Sequence, residues 1–75
     1  MGGRWVLLDC ERVLLEDIAD RRLTRKDVAL TYALAILSSE RTRVDWGKVN
    51  RAIIERWSPY ALEWIKCQAW KRVEG

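Results

Sequence analysis

The stretch that decides the fold is DWGKVNRAIIERWSPYALEWIKCQAWKR, residues 45–72. Asp45 has a side chain that commonly caps a helix N-terminus, which predicts a helix running to about Trp57. The large apolar side chains of that helix share one face, as expected of a helix packed on a core. They are Trp46, Val49, Ile53 and Trp57.

A second helix is predicted from Ser58, an N-cap residue that is followed by Pro59 at the first helical position. We expect this helix to extend to about Val73. Because only one or two residues separate the two helices, they must cross at a large angle. The sequence therefore predicts a helix-turn-helix-like corner, and in such a unit the second helix enters the major groove of DNA.

A third helix is predicted upstream, over about residues 25–39. Thr24 is its N-cap candidate, and Asp27 three residues later completes an approximate capping box. The run VALTYALAIL that follows is apolar almost all round. Because a helix that is hydrophobic on every side is buried on every side, we expect this helix to form the centre of the domain.

The first part of the chain supplies one further helix and an arm. Residues 10–21 carry apolar side chains at helical spacing and charged side chains on the opposite face. Residues 1–9 are expected to form a short N-terminal arm, with either a short strand or an extended segment over residues 4–9. Trp5 on this arm needs a surface to dock against. The 75 residues thus predict a single all-α domain, a small bundle of three to four helices, with residues 10–75 as its helical core.

The composition excludes several classes of function. The chain has no histidine and only two cysteines, Cys10 and Cys67, which are far apart. We therefore expect no metal site and no cofactor. Without a histidine, a glycine-rich phosphate loop or a marked catalytic pair, we expect no enzymatic activity and no small-molecule substrate. Both cysteines have apolar neighbours and are expected to be small buried side chains in a reducing compartment, with a disulfide between them as the alternative.

The location of the protein follows from what the sequence lacks. No apolar run approaches the roughly 18 residues that span a bilayer. The start of the chain does not have the pattern of a signal peptide. The sequence therefore predicts a cytoplasmic protein without a membrane role, or one carried within a virion or a host nucleoid.

The charge of +3 is unevenly distributed. Residues 1–20 have two basic and five acidic side chains. Residues 21–44 have six basic and two acidic ones, and residues 45–75 have six basic and four acidic ones. A basic body can attract phosphate groups or an acidic protein. The cluster from Arg21 to Lys26 is interpreted as a solvated connector that offsets the nearby acids, with an anionic partner as the alternative.

The five tryptophans divide by their place on the predicted helices. Trp46 and Trp57 fit the apolar face of their helix and are expected in the core. Trp64 and Trp70 lie off the apolar stripe of the last helix, so either the domain wraps that helix on two sides or a partner covers them. The candidate residues for a protein interface are Trp5, Tyr60, Trp64 and Trp70.

The polar side chains of the corner are candidates for contacts with nucleic acid. Lysine, arginine and glutamine can hold phosphates or read base edges. The helix predicted from Asp45 to about Trp57 would brace the recognition helix, and Arg56 on it is expected to contact the nucleic-acid backbone. The main predicted nucleic-acid-binding residues are Lys48, Arg51, Lys66, Gln68, Lys71 and Arg72.

The tryptophan spacing of residues 23–73 is similar to that of a known family. Trp46 and Trp64 are 18 residues apart, and between them the segment RWSP, residues 56–59, makes the turn into the last helix. This pattern resembles a Myb/SANT repeat, a three-helix domain built on regularly spaced tryptophans. The chain departs from the family at Leu23, which stands nearest the place of the first family tryptophan, and at residues 25–27, where RKD replaces an acidic cluster.

The resemblance implies DNA or histone-tail binding through the last helix, with Lys66, Lys71 and Arg72 as candidates. Two hypotheses follow from the sequence. The first is a small non-catalytic nucleic-acid-binding protein that uses residues 59–73 as its recognition helix. The alternative is an assembly or adaptor subunit of a larger complex or of a viral or phage particle, which associates with itself or with another protein through exposed tryptophans.

Overall fold

The computed structural model describes residues 9–38 and 43–75. These residues form four helices and no strand, which confirms the prediction of a small all-α bundle. Of the predicted arm, residues 1–9, all but Asp9 lie outside the described residues. The helices are α1 (Cys10–Ala19), α2 (Arg25–Leu37), α3 (Trp46–Arg56) and α4 (Pro59–Glu74).

Side-chain caps fix the start of all four helices. At α2, Thr24 and Asp27 form a reciprocal capping box, in which the Asp27 carboxylate accepts the Thr24 backbone N–H at 2.8 Å. The predicted cap pair Ser58 and Pro59 begins α4. Each cap satisfies a backbone donor that has no partner within its helix. The four N-cap residues are Asp9, Thr24, Asp45 and Ser58.

The four helices surround one core, each packed against two neighbours. Helix α2 packs against α1 and most extensively against α4, and α3 packs against the same two helices. Helices α1 and α2 are antiparallel, because Cys10 lies beside Ala35 while Asp17 accepts a hydrogen bond of 2.6 Å from Thr31. The largest fully buried side chains are Leu14, Val28, Val49, Ile53 and Ile65.

A single polar side chain joins two helices that do not pack side by side. Tyr32 of α2 is buried, and its hydroxyl donates to Asn50 Oδ1 of α3 at 2.9 Å. Its ring lies 4.8 Å from the ring of Trp46, centroid to centroid. Burial raises the pKa of Tyr32, although the Asn50 hydrogen bond acts in the opposite direction. The hydroxyl is therefore a neutral donor that fixes α2 relative to α3.

The prediction that α2 is buried on every side is wrong. Leu30, Leu34 and Leu37 are 46%, 55% and 61% exposed, and together they form one face of the helix. The buried positions of α2 are instead mostly small, with alanines at 29, 33 and 35. Alanine lets neighbouring helices approach closely, whereas a leucine would hold them apart. The closely packed faces therefore take the alanines, and the leucines point outward.

The two cysteines occupy different environments. Cys10 is buried, Cys67 is exposed, and both are free thiols. The expectation that both are buried is therefore wrong for Cys67. The reason is its place on α4, one helical turn from the exposed Glu63 and on the face opposite the buried Ile65 and Ala69.

Candidate nucleic-acid interface

The outward face of α4 carries two exposed aromatic side chains. Tyr60 is 87% exposed and Trp70 is 47% exposed. Trp64, one turn after Tyr60, is different because it is half-buried and packs against the core. Trp70 therefore faces solvent, and Trp64 lies at the edge of the bundle. Trp5, the other predicted interface tryptophan, lies outside the described residues.

Trp64 is covered by the beginning of α2. The guanidinium carbon of Arg25 lies 5.5 Å from the centroid of the Trp64 ring, within cation–π range. Thr24, Arg25, Lys26 and Trp64 line a shallow cavity of about 330 Å³. The capping box at Thr24 sets this arrangement, because it fixes Arg25 as the first residue of α2, next to α4.

Two polar residues of α4 continue this surface. Gln68 and Lys71 follow Trp64 at helical spacing, so the three side chains share one flank of α4. Lys71 and the neighbouring Arg72 are exposed in the last turn. We call this surface the basic flank, and define it by Arg25, Lys26, Trp64, Gln68 and Lys71.

Among the described residues, the cations of the basic flank have no acidic partner. In residues 9–38 and 43–75, no carboxylate lies within ion-pair distance of Arg25, Lys26, Lys71 or Arg72. The nearest acid in sequence, Asp27, is engaged in the capping box, and hydrogen bonds first from the Thr24 backbone and then from its hydroxyl lower the pKa of Asp27. The flank therefore presents positive charge that no carboxylate of residues 9–38 and 43–75 offsets.

The structure divides the six residues predicted to contact nucleic acid. Gln68, Lys71 and Arg72 belong to the basic flank or adjoin it. Lys66 lies on the other side of α4, where its Nζ is 3.6 Å from a Glu63 carboxylate oxygen. Lys48 faces α1 and pairs with Glu11 at 4.0 Å. Arg51 is exposed on α3, one turn beyond Lys48.

Arg56, also expected to contact nucleic acid, is engaged in contacts within the fold. Its guanidinium donates to the backbone oxygen of Ile18 at 2.9 Å and to that of Leu23 at 2.7 Å. It also lies over the Trp57 ring, 4.1 Å from the centroid. Arg56 thus binds carbonyl groups at and after the C-terminal end of α1, where a helix leaves acceptors without partners.

The basic residues from Arg21 to Lys26, around the start of α2, lie in two different environments. Arg22 forms two side-chain hydrogen bonds of 3.1 Å with Asp20, which lower the pKa of Asp20 and raise that of Arg22. This pair fits the predicted solvated connector. Arg25 and Lys26 do not, because they adjoin Trp64. Sequence reasoning missed this contact, since Arg25 and Trp64 are far apart in the chain and no local pattern links them.

Residues 9–38 and 43–75 contain neither a metal-ligand cluster nor a membrane-spanning helix. No group of cysteine and acidic side chains there could hold a metal ion. None of the helices described is long and apolar enough to cross a membrane. No protein-family model matches the chain, and no significant relative was found among curated proteins or solved structures.

Proposed function

We propose that this protein binds nucleic acid through the basic flank, with α4 as its main recognition element. The observation that carries the proposal is the Arg25 guanidinium over Trp64, beside Lys26 and Lys71, which have no carboxylate partner in the part of the chain that the structure describes. Nucleic-acid affinity rests largely on lysine and arginine side chains that neutralise phosphates. A cation already engaged by a carboxylate contributes less, so the relevant charges are those of this flank.

Each part of the flank has a role in the proposal. Arg25, Lys26 and Lys71 hold phosphates and set the register of the protein on the nucleic acid. Gln68, between the aromatic and the basic side chains, can both donate to and accept from a base edge. The short connection between α3 and α4 resembles a helix-turn-helix corner and would leave α3 to brace α4. The two free thiols agree with a reducing compartment such as the cytoplasm.

The test is a titration with labelled 20-base-pair DNA and with the matching single strand, at low and moderate salt. The first variant combines Arg25→Ala, Lys26→Ala and Lys71→Ala. Its control combines Arg12→Ala, Lys48→Ala and Lys66→Ala, which removes the same charge from cations that each have a carboxylate partner.

We expect the flank variant to lose at least about tenfold in affinity and to reduce the slope of log K against log salt by about 2 to 3. The control should retain most of the affinity. Absence of binding at low salt would refute the proposal. Equal losses in both triple variants would also refute it, because attraction would then follow net charge rather than this surface.

A second candidate function, docking to a protein partner, is supported by the exposure of Tyr60 and Trp70 on the outward face of α4. Exposed aromatic side chains are enriched at interface hot spots. Trp70→Ala separates the two functions, because Trp70 is not part of the basic flank. If docking is the function, this variant abolishes association in sedimentation with the partner or with itself while the flank variant does not.

A further inference from the structure

Tyr60 lies in the same row of α4 side chains as two members of the basic flank. It precedes Trp64 by four residues, as Trp64 precedes Gln68, so the three side chains follow one side of the helix. Tyr60 is 87% exposed, and Trp64 is half-buried. At a rise of about 1.5 Å per residue, the two aromatic residues are about 6 Å apart along the helix axis. The row therefore holds two aromatic side chains before it reaches Lys71.

We propose, on the basis of the function proposed above, that the nucleic acid bound by the basic flank is a single strand, with two consecutive unpaired bases stacked on Tyr60 and Trp64. Proteins that bind single strands combine cations that follow the phosphates with aromatic side chains on which successive bases stack. Arg25, Lys26 and Lys71 supply the cations beside these two rings.

The cavity at Trp64 has the size and the lining for one base. Its volume of about 330 Å³ is at the lower end of the roughly 300–1,000 Å³ range of small-ligand pockets. The Trp64 ring forms one wall, and the Arg25 guanidinium, 5.5 Å from the ring centroid, is a second planar group. Bases stack on aromatic rings and on guanidinium planes alike. Gln68, one turn further along α4, can then bond the Watson–Crick edge, which is free only in an unpaired base.

A duplex fits this surface less well. Paired bases present only their edges in the grooves, and a base must leave the stack before its face can enter a cavity. Bases along a duplex strand are about 3.4 Å apart, whereas Tyr60 and Trp64 are about 6 Å apart along the axis of α4. Neighbouring bases on these two rings are therefore unstacked from each other. Glu63, the acid nearest to Tyr60 on α4, pairs with Lys66 at 3.6 Å, which offsets its charge.

The test compares three labelled 20-mers at low and moderate salt. They are an oligothymidylate, a duplex of mixed sequence, and an abasic strand that has the same phosphates without bases. The variants are Tyr60→Ala and Trp64→Leu. Because Tyr60 is almost entirely exposed, its removal leaves the packing intact and keeps the test valid if Trp64→Leu disturbs the fold. Trp70→Ala is the control, since Trp70 is also aromatic and exposed but lies about 120° around α4 from Trp64.

We expect the oligothymidylate to bind at least about tenfold more tightly than either the duplex or the abasic strand. Tyr60→Ala and Trp64→Leu should each weaken oligothymidylate binding about fivefold or more. The slope of log K against log salt should stay the same in both, because no phosphate contact is lost. Trp70→Ala should change the affinity by less than about twofold.

Duplex or abasic binding as tight as that of the oligothymidylate would overturn the inference and leave the proposed function intact. The same holds if Tyr60→Ala and a folded Trp64→Leu have no larger effect than Trp70→Ala. Absence of binding to all three probes at low salt would refute both. Far-UV circular dichroism verifies that each variant is folded.

Discussion

Two arginine–tryptophan pairs lie among the described residues, and their surroundings differ. The Arg56 guanidinium lies 4.1 Å from the Trp57 ring centroid and donates to two backbone carbonyl groups. The Arg25 guanidinium lies 5.5 Å from the Trp64 ring centroid, and no other contact of that guanidinium is seen among the described residues. The same two residue types thus serve a structural contact in one place and an open surface in the other.

The comparison shows how to separate a structural cation from one available to a partner. A cation–π contact alone does not use the five N–H donors of an arginine. Arg56 directs its donors at carbonyl groups of α1 and of the following turn, so those donors are occupied. No acceptor for the side-chain donors of Arg25 lies among the described residues, so these donors are available to an anion. The proposed interface follows from this difference and not from the number of basic residues.

The largest expected effect is on Arg56. Arg56→Met keeps the length and most of the apolar contact with Trp57 but removes both hydrogen bonds. Because the oxygens of Ile18 and Leu23 would lose their partners at a part-buried site, we expect the free energy of unfolding to fall by about 2 kcal/mol. Urea denaturation measures it. An unchanged midpoint would show that these two contacts contribute nothing to stability.

A smaller effect is expected at the capping box beside Arg25. Thr24→Ala should lower the free energy of unfolding by about 1 kcal/mol, because α2 loses its N-cap. The pKa of Asp27 is lower in the folded chain than in the unfolded chain. The contribution of the Asp27 carboxylate to folding stability is therefore fully present above the ordinary aspartate pKa of about 4, and it is lost as the pH falls through the folded pKa.

The pH dependence supplies the measurement for that prediction. The stability difference between the native chain and Asp27→Asn should be constant near neutral pH and should narrow below about pH 4. Hydrogen bonds from Arg22 also lower the pKa of Asp20. Asp20→Asn is therefore the positive control, and its stability difference should narrow over the same acidic pH range. A difference for Asp27→Asn that stays constant down to acidic pH would contradict the role of its ionised form.

The smallest effect on stability is expected for Arg25→Met, the counterpart of Arg56→Met. An exposed cation–π contact contributes about 0.5 kcal/mol, so the urea midpoint should barely move. Nucleic-acid affinity should nevertheless fall, since Arg25 belongs to the basic flank. The two arginines would then show opposite patterns. A loss of stability at Arg25 as large as that at Arg56 would remove the distinction between them.

What the sequence predicts well is local. The caps at Thr24, Asp45 and Ser58 were predictable because an N-cap side chain binds a backbone amide two or three residues later. These contacts need no knowledge of the fold. The Arg25–Trp64 contact joins separate helices and depends on how α2 and α4 pack, so no sequence pattern contains it.

The outward leucines of α2 were not predictable for a different reason. Periodicity locates a buried face only when apolar and polar residues alternate around the helix. In the run VALTYALAIL almost every position is apolar, so the pattern has no preferred side. The structure places Ala29 and Ala33 on the closely packed sides and Leu30 and Leu34 outside, while the larger Tyr32 is buried through its contacts with α3.

The unequal exposure of the two thiols has a kinetic consequence. Cys67 reacts with a thiol reagent at the rate of an open side chain, whereas Cys10, buried at the groove between α1 and α2, reacts at a lower rate that depends on how far these helices open. The ratio of the two rates in one molecule therefore measures how often this pair of helices opens, and Cys67 corrects for the reagent. The chain carries its own reference for local unfolding, without any added label.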